Sequence, residues 1–325
     1  MVLDLTDSRT INIALVGAGA MGSLHARVVS QTPGVELACI VDPCPEVGRR
    51  LAAQFESRWL PDLDGTGLID AVIVASPTDT HASWVERALD AGKPVLVEKP
   101  LSTDLAEVEA MVKRSGDVGV PIMGGFVERF NPAILLVMDI LKDPLYLQAV
   151  RHSPYVNRIR TGVAHDLLIH DVDLALRVFG GVPEEVRGQL GHFHRESEPG
   201  AEDVADFHLT FERGRLASLS SSRITQRKIR SVTITELDRL IEIDMIRQDV
   251  TIYRHVGHEI IEDNWGYRSQ TIIDVPVIPS RREPLATQLD HFVALIRGTV
   301  DPEVERLSLV PPHEVVANAL ASVAT

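Results

Sequence analysis

"INIALVGAGAMG", Ile11 to Gly22, is the stretch from which the fold is read. The apolar, branched run from Ile11 to Val16 has the length of a buried parallel strand. Gly17, Gly19 and Gly22 follow it, and "SLHARVVSQ" (23–31) then sets Leu24 and Val28 at helical spacing. Strand, glycine turn and helix in this order form a dinucleotide-binding fingerprint. Gly17 permits the sharp turn, Gly19 lets the backbone approach a pyrophosphate, and Gly22 lets helix and strand pack closely. Ala20 and Met21 open the helix, whose first N–H groups attract anionic phosphates. The plainer reading of the glycines is an ordinary tight turn between a strand and a helix.

One strand later, "VELACIVD" (35–42) ends in Asp42, where a ribose-binding carboxylate belongs. Such a group accepts from the adenosine 2′-hydroxyl and repels a 2′-phosphate, which favours NAD over NADP. Alternatively, Asp42 caps the "DPCPE" turn that follows.

The alternation continues. "PEVGRRLAAQF" (45–55) predicts a helix with Pro45 in its first turn. "DAVIVASPT" (70–78), "PVLVEKP" (94–100) and "VPIMGGF" (120–126) predict strands, with helices over 78–92 and 103–116 between them. Strands alternating with helices predict a doubly wound parallel sheet, placed at 1–126. From 127 to 325 the pattern changes. Helices over 131–141 and 165–180 precede strand-like stretches at 184–193, 203–212, 215–224, 228–244 and 249–256. Unbroken succession of such stretches predicts an antiparallel sheet with one covered face. Two helical segments, 284–298 and 312–324, follow, the first with Ala286, Leu289, Phe292, Val293 and Ile296 as its apolar face.

A chain of 325 residues with 45% hydrophobic and 24% charged side chains is expected to be a two-domain globular protein. Its net charge of −14 argues against binding nucleic acid or an anionic membrane. No apolar run predicts a membrane span. "MVLDLTDSRT" (1–10) lacks the basic region of a signal peptide, and Cys39 and Cys44 make no disulfide framework, so a cytoplasmic location is expected.

Three stretches carry candidate chemistry. Lys99, in Glu98-Lys99-Pro100, closes the fourth strand-like run, outside the strand ends where doubly wound sheets bind ligands. It would donate to a substrate hydroxyl and stabilise a developing alkoxide; otherwise it pairs with Glu98 or meets solvent. In "GVAHDLLIHDVDLALRVFG" (162–180), Asp166, His170 and Asp173 fall on one helical stripe. An imidazole beside a carboxylate suits taking a proton from an alcohol. The competing readings are an Asp173–Arg177 pair one turn on, His170 as a helix-contact residue, or a metal site of His165, Asp166, His170 and Asp171. Those four do not share one face, so no metal is expected. Glu128, Arg129 and Asn131, in "GGFVERFNP" (124–132), line a cofactor–substrate cleft or form a hinge with Arg129 in a structural ion pair.

"GAGAMGSLHA", "ASPTDTH", "EKPL", "GGFVERFNP" and the Asp166-to-His170 helix, in this order and spacing, resemble the Gfo/Idh/MocA oxidoreductase family. The resemblance implies an N-terminal Rossmann domain and a C-terminal α/β domain with a large, open, mostly antiparallel sheet. It implies a tightly held nicotinamide cofactor, NAD by the Asp42 reading, and redox chemistry at a sugar or cyclitol carbon. Carried over by motif, Lys99 matches the catalytic lysine, and Asp166 and His170 match the D-x-x-x-H pair. Ser76, Pro77, Thr78 and His81 match the nicotinamide-side loop, Glu98 lies beside the ring, and a cis bond precedes Pro100. Within the family, "VERFNP" and "RIRTGVAHDLLIHDVDL" are similar to the branch that contains UDP-N-acetylglucosamine 3-dehydrogenases. That branch has an aliphatic residue where this chain has His165.

The expected activity is NAD-dependent oxidation of a sugar secondary alcohol, at C3 of a nucleotide-linked or phosphorylated hexose. The alternatives are a cyclitol or free monosaccharide dehydrogenase, or a non-enzymatic NAD-binding sensor. Arg151, Arg158 and Arg160, placed by the sequence in a loop, hold a substrate phosphate or carboxylate, or else form a subunit contact or solvated surface. The partner expected is a small sugar, with a homodimer or homotetramer formed through the C-terminal sheet.

Overall fold

Branched apolar strands alternating with amphipathic helices build the first of two units in the computed structural model, which describes residues 9–157, 159–261, 266–279 and 282–323. The elements up to Val127 are β1 (Ile11–Val16), α1 (Ala20–Gln31), β2 (Val35–Val41), α2 (Pro45–Gln54), β3 (Arg58–Leu60), β4 (Ala71–Val74), α3 (His81–Asp90), β5 (Val95–Glu98), α4 (Leu105–Val118) and β6 (Ile122–Gly125). The strands pair in parallel in the order β3-β2-β1-β4-β5-β6. That order places a topological switch between β1 and β4, where doubly wound sheets bind ligands. Ile13, Leu15, Ile73, Leu96 and Ile122 fill the centre of the sheet and are essentially inaccessible. β3 is a short edge strand that sequence periodicity did not anticipate.

The second unit comprises Glu128–Arg282 and takes up the chain again from Glu314. It holds α5 (Pro132–Ile140), β7 (Tyr146–His152), α6 (Ile169–Phe179), β8 (Glu185–Gly191), β9 (Val204–Phe211), β10 (Arg215–Ser222), β11 (Ile229–Thr235), β12 (Leu240–Asp244), β13 (Asp249–Ile261) and β14 (Gly266–Asp274). The sheet order is β14-β13-β12-β11-β7-β10-β9-β8, antiparallel except where β7 runs parallel to β10. Leu147, Ala149, Phe207, Leu209, Ala217, Leu219, Val232 and Ile234 alternate onto the covered face, against which α5 and α6 pack. The expected 228–244 stretch is a hairpin, β11 and β12, turned by Glu236 N–H donating to Arg239 O at 2.9 Å.

After Arg282 come α7 (Pro284–Ile296), α8 (Pro302–Leu307) and α9 (Val310–Val323). The sequence assigns everything beyond residue 126 to the second domain; Glu283–His313 instead groups with the first unit. α7 packs on α1, burying Leu285, Leu289, Phe292 and Leu295. Its buried stripe is therefore rotated from the expected Ala286, Val293 and Ile296. The Arg27 guanidinium donates to both Glu283 oxygens, at 2.6 and 2.9 Å, and Leu101 N–H donates to His313 Nε2 at 3.0 Å. Gly124 leaves the room that Leu309 fills: a Cβ there would lie 2.8 Å from the leucine Cδ2.

Candidate functional site

At the end of β1 the chain turns through Gly17, with φ +98°. A Cβ at that position would sit 2.6 Å from both Ala75 O and Ser76 N. A Cβ at Gly22 would lie 1.9 Å from Gly17 O, so α1 can approach its own turn only with glycine there. Gly19 is different, because the space beside it is open. It is the N-cap of α1 and no side chain caps the helix, so the first-turn N–H groups of Ala20 and Met21 keep the orientation an anion requires.

Asp42, just after β2, accepts Ala18 N–H on Oδ2 and Cys44 N–H on Oδ1, each at 2.8 Å. Both sequence readings of this residue are therefore compatible. It caps its turn, and each carboxylate oxygen retains a lone pair for a ribose hydroxyl. An open glycine, an uncapped helix start and a fixed carboxylate fit a dinucleotide.

The neighbouring strand ends are tied together by histidines. His81 opens α3 with Nε2 at 2.9 Å from Ser76 O and Nδ1 at 3.0 Å from Pro100 O, which couples the "SPT" loop to the segment holding Lys99. Burial holds its pKa below the usual histidine value, against the pull of those carbonyls. Ser76 Oγ and Thr80 Oγ1 bond at 2.7 Å, which shapes the short turn at Pro77 and Thr78. Glu98, at the end of β5, faces buried His25, whose Nε2 is 2.8 Å from Glu98 Oε1. Lys99 is half-buried and the Lys99–Pro100 bond is cis.

In the second unit, Asp166 lies not on an α-helix but in a π turn, Ala164–Leu168, that leads directly into α6. The wider turn replaces the expected plain α-helical start, its residues advancing by a smaller angle than in an α-helix. His170 lies in the first turn of α6 and is buried, while Asp166 is half-buried. The turn is held from outside: Glu202 Oε1 accepts Ala164 N–H at 2.6 Å, and Glu202 O accepts Val163 N–H at 3.1 Å. His165 is mostly enclosed, its Nδ1 has no hydrogen-bond partner, and burial pushes its pKa down to about 4.

The remaining predicted residues have structural partners. Arg129 donates to both oxygens of Asp173, at 2.6 and 2.9 Å, with both side chains buried. Asn131 caps α5 through Ala133 N–H at 3.1 Å and donates to Met245 O at 3.1 Å. Arg151 is not in a loop but on β7. It grips Asp171 at 2.8 and 3.0 Å and Glu128 at 2.7 Å, entirely buried. Burial opposes the Glu128 charge, but Arg151 and Arg230 outweigh it and keep the carboxyl below its usual range. Asp171 is thus engaged by an arginine rather than grouped with His165, Asp166 and His170 as ligands. Arg160 is 84% exposed, 3.7 Å from Glu198, and Arg158 lies outside the described residues. Arg230, Lys228 and Glu202 belong to none of the sequence motifs.

The family model described as "Oxidoreductase family, NAD-binding Rossmann fold" matches residues 11–126, and the GFO/IDH/MocA C-terminal domain matches residues 146–236. An inositol 2-dehydrogenase of Rhizobium meliloti is 30% identical over 228 residues, 66% of this chain and 69% of that one. The chain belongs to the Gfo/Idh/MocA oxidoreductase family. Among its relatives, the UDP-N-acetylglucosamine 3-dehydrogenase of Acidithiobacillus ferrooxidans is 29% identical over 285 residues, 87% of each chain. The solved structure of that enzyme superposes with a TM-score of 0.83 at 26% identity, covering 96% of this chain and 97% of that chain. Residues 11–126 are accordingly this Gfo/Idh/MocA protein's NAD-binding Rossmann fold.

Proposed function

We propose that this enzyme oxidises a secondary alcohol of a sugar with NAD, at C3 of a nucleotide-linked or phosphorylated hexose. The observation that carries the reading is the likeness to the UDP-N-acetylglucosamine 3-dehydrogenase over 87% of both chains. Bound NAD supplies the hydride acceptor. His170 takes the hydroxyl proton and Asp166 orients the imidazole. Lys99 stabilises the oxygen as negative charge builds on it. Gly17, Gly19, Ala20, Met21, Gly22 and Asp42 hold the dinucleotide, with Ser76, Pro77, Thr78, His81 and Glu98 on its nicotinamide side. Glu128, Arg129 and Asn131 serve the substrate half through the ion pairs and cap described above.

The test is incubation with NAD and a panel of sugars and sugar nucleotides, following absorbance of NADH and locating the ketone by NMR. Lys99→Ala and His170→Ala should each lower kcat by about 10²–10⁴-fold while NAD still binds. Turnover at the parent rate by either variant would refute the assignment. A second reading, a cyclitol dehydrogenase, is favoured by the likeness to the inositol 2-dehydrogenase; oxidation of myo-inositol in preference to every phosphorylated sugar would establish it.

The same reading places the enzyme in the cytoplasm as a homodimer or homotetramer packed through the second sheet. In support, Cys39 and Cys44 are free thiols, no helix among the described residues is long and apolar enough to cross a membrane, and Tyr146, Leu216 and Ile273 are exposed on β7, β10 and β14. A monomeric mass by light scattering at micromolar protein would contradict the assembly.

A further inference from the structure

Arg151 on β7 and Arg230 on β11 stand directly opposite each other in the sheet register. Facing like charges are unfavourable in a sheet, and Glu128 Oε1 relieves this pair, 2.7 Å from Arg151 Nη1 and 3.2 Å from Arg230 Nη1. The two arginines are otherwise unlike. Arg151 is enclosed and also donates through Nε and Nη2 to Asp171. Arg230 has a third of its side chain exposed and, among the described residues, makes the single 3.2 Å bond to a carboxylate that Arg151 already neutralises. Most of its five N–H donors are left for something else.

Lys228 precedes Arg230 by two residues, which in an extended chain sets both on the same side. It is exposed, and its pKa is lowered first by the Arg230 charge and then by partial burial. Two cations thus crowd one another at the rim of the covered face, in a chain whose overall charge is −14. Besides Glu128, the carboxylates whose fields reach Arg230 are Asp171, held by Arg151, and Asp166 of the π turn. An arginine whose only task was to balance Glu128 would have no reason to keep its guanidinium open to solvent beside a second cation and within electrostatic reach of Asp166.

We propose that Arg230, assisted by Lys228, binds an anionic group of the substrate, a phosphate or a carboxylate, and so makes the second unit selective for charged sugars. This rests on the dehydrogenase reading above and assigns to these two residues the anion-holding role expected of Arg151, Arg158 and Arg160. A guanidinium fork suits either oxyanion, holding two of its oxygens at once.

The test uses the full-length enzyme with NAD. Hexose 6-phosphates, UDP-hexoses, hexuronates and neutral hexoses are compared for the parent protein, R230Q, R230K and K228Q. The expected result is an anionic sugar preferred over its neutral counterpart. R230Q should raise KM for it at least tenfold with kcat changed less than threefold, R230K should recover part of the loss, and K228Q should raise KM less. Lys228 is exposed, so K228Q keeps the test valid if R230Q is unstable. The phosphate and hexuronate arms identify which anion is recognised. Unchanged KM in both R230Q and K228Q, or equal use of neutral and anionic sugars by the parent, would overturn the proposal. A thermal-shift arm separates it from the reading beneath it. Were no sugar oxidised, the dehydrogenase reading would fall, while a melting midpoint raised by hexose phosphate or hexuronate in the parent and not in R230Q would uphold the anion site. A midpoint unmoved by any of these ligands would reject it.

Discussion

His165 shows how one side chain shapes the acid behaviour of its surroundings. Its imidazole is mostly enclosed with Nδ1 unsatisfied, and burial depresses its pKa to about 4. The unfolded chain takes up a proton near pH 6.5 that the folded one refuses until about 4, so stability is intact above that range and is lost as pH falls through it. His165→Leu removes both the unsatisfied nitrogen and the refused proton. Its melting temperature relative to the parent should therefore rise more at pH 5 than at pH 8, as calorimetry at the two pH values would reveal. Arg129 teaches the complementary lesson. Taking away one partner of its buried pair with Asp173 strands a carboxylate, and Arg129→Ala should cost about 3–5 kcal/mol of stability in urea titrations. At this scale the sequence was legible where a residue sits in a motif with a fixed backbone role, as Gly17 and Gly22 do. Arg129 and Arg151 were harder to read, because a long cation in a turn or a strand looks the same in sequence whether it faces ligand, solvent or a buried carboxylate.

The π turn at Ala164–Leu168 is the element on which the second unit's chemistry depends. It carries Asp166 and starts the helix that carries His170, and it is bracketed by the chain that crosses beneath it. Glu202 accepts Ala164 N–H at 2.6 Å, Arg223 donates to Thr161 O, and a Cβ at Gly162 would fall 1.9 Å from the Glu202 carboxylate. Glu202→Ala frees that bracket, and a displacement of about 1 Å in a reacting group costs on the order of 10²-fold in rate. Steady-state kinetics should show this as a fall in kcat larger than any change in KM, with Glu202→Gln, which keeps an oxygen acceptor, restoring much of it. Composition carries no sign of a π turn. One extra residue per turn leaves the apolar spacing of 165–180 nearly helical, so the whole stretch reads as a plain α-helix.

Across the whole molecule, the first sheet was readable because strands buried on both faces are continuous apolar runs, as in β1, β4 and β5. The second was read only in part. β7 occupies its middle, yet its inward positions are Leu147, Ala149 and Arg151, and the arginine interrupts the alternation that announces a strand. The distant return of Glu283–His313 to the first unit left no local mark either, since tertiary pairing over such a separation is not encoded in a short window. That return bears on how the protein can be dissected. A fragment stopped at Val127 strips Leu309 from Gly124, Phe292 and its neighbours from α1, and His313 from the Leu101 amide, and should melt broadly with weak NAD affinity. Splicing 283–313 onto it through a short glycine linker should restore a sharp transition, so the portable nucleotide-binding module of this enzyme is a two-piece graft rather than an N-terminal cut.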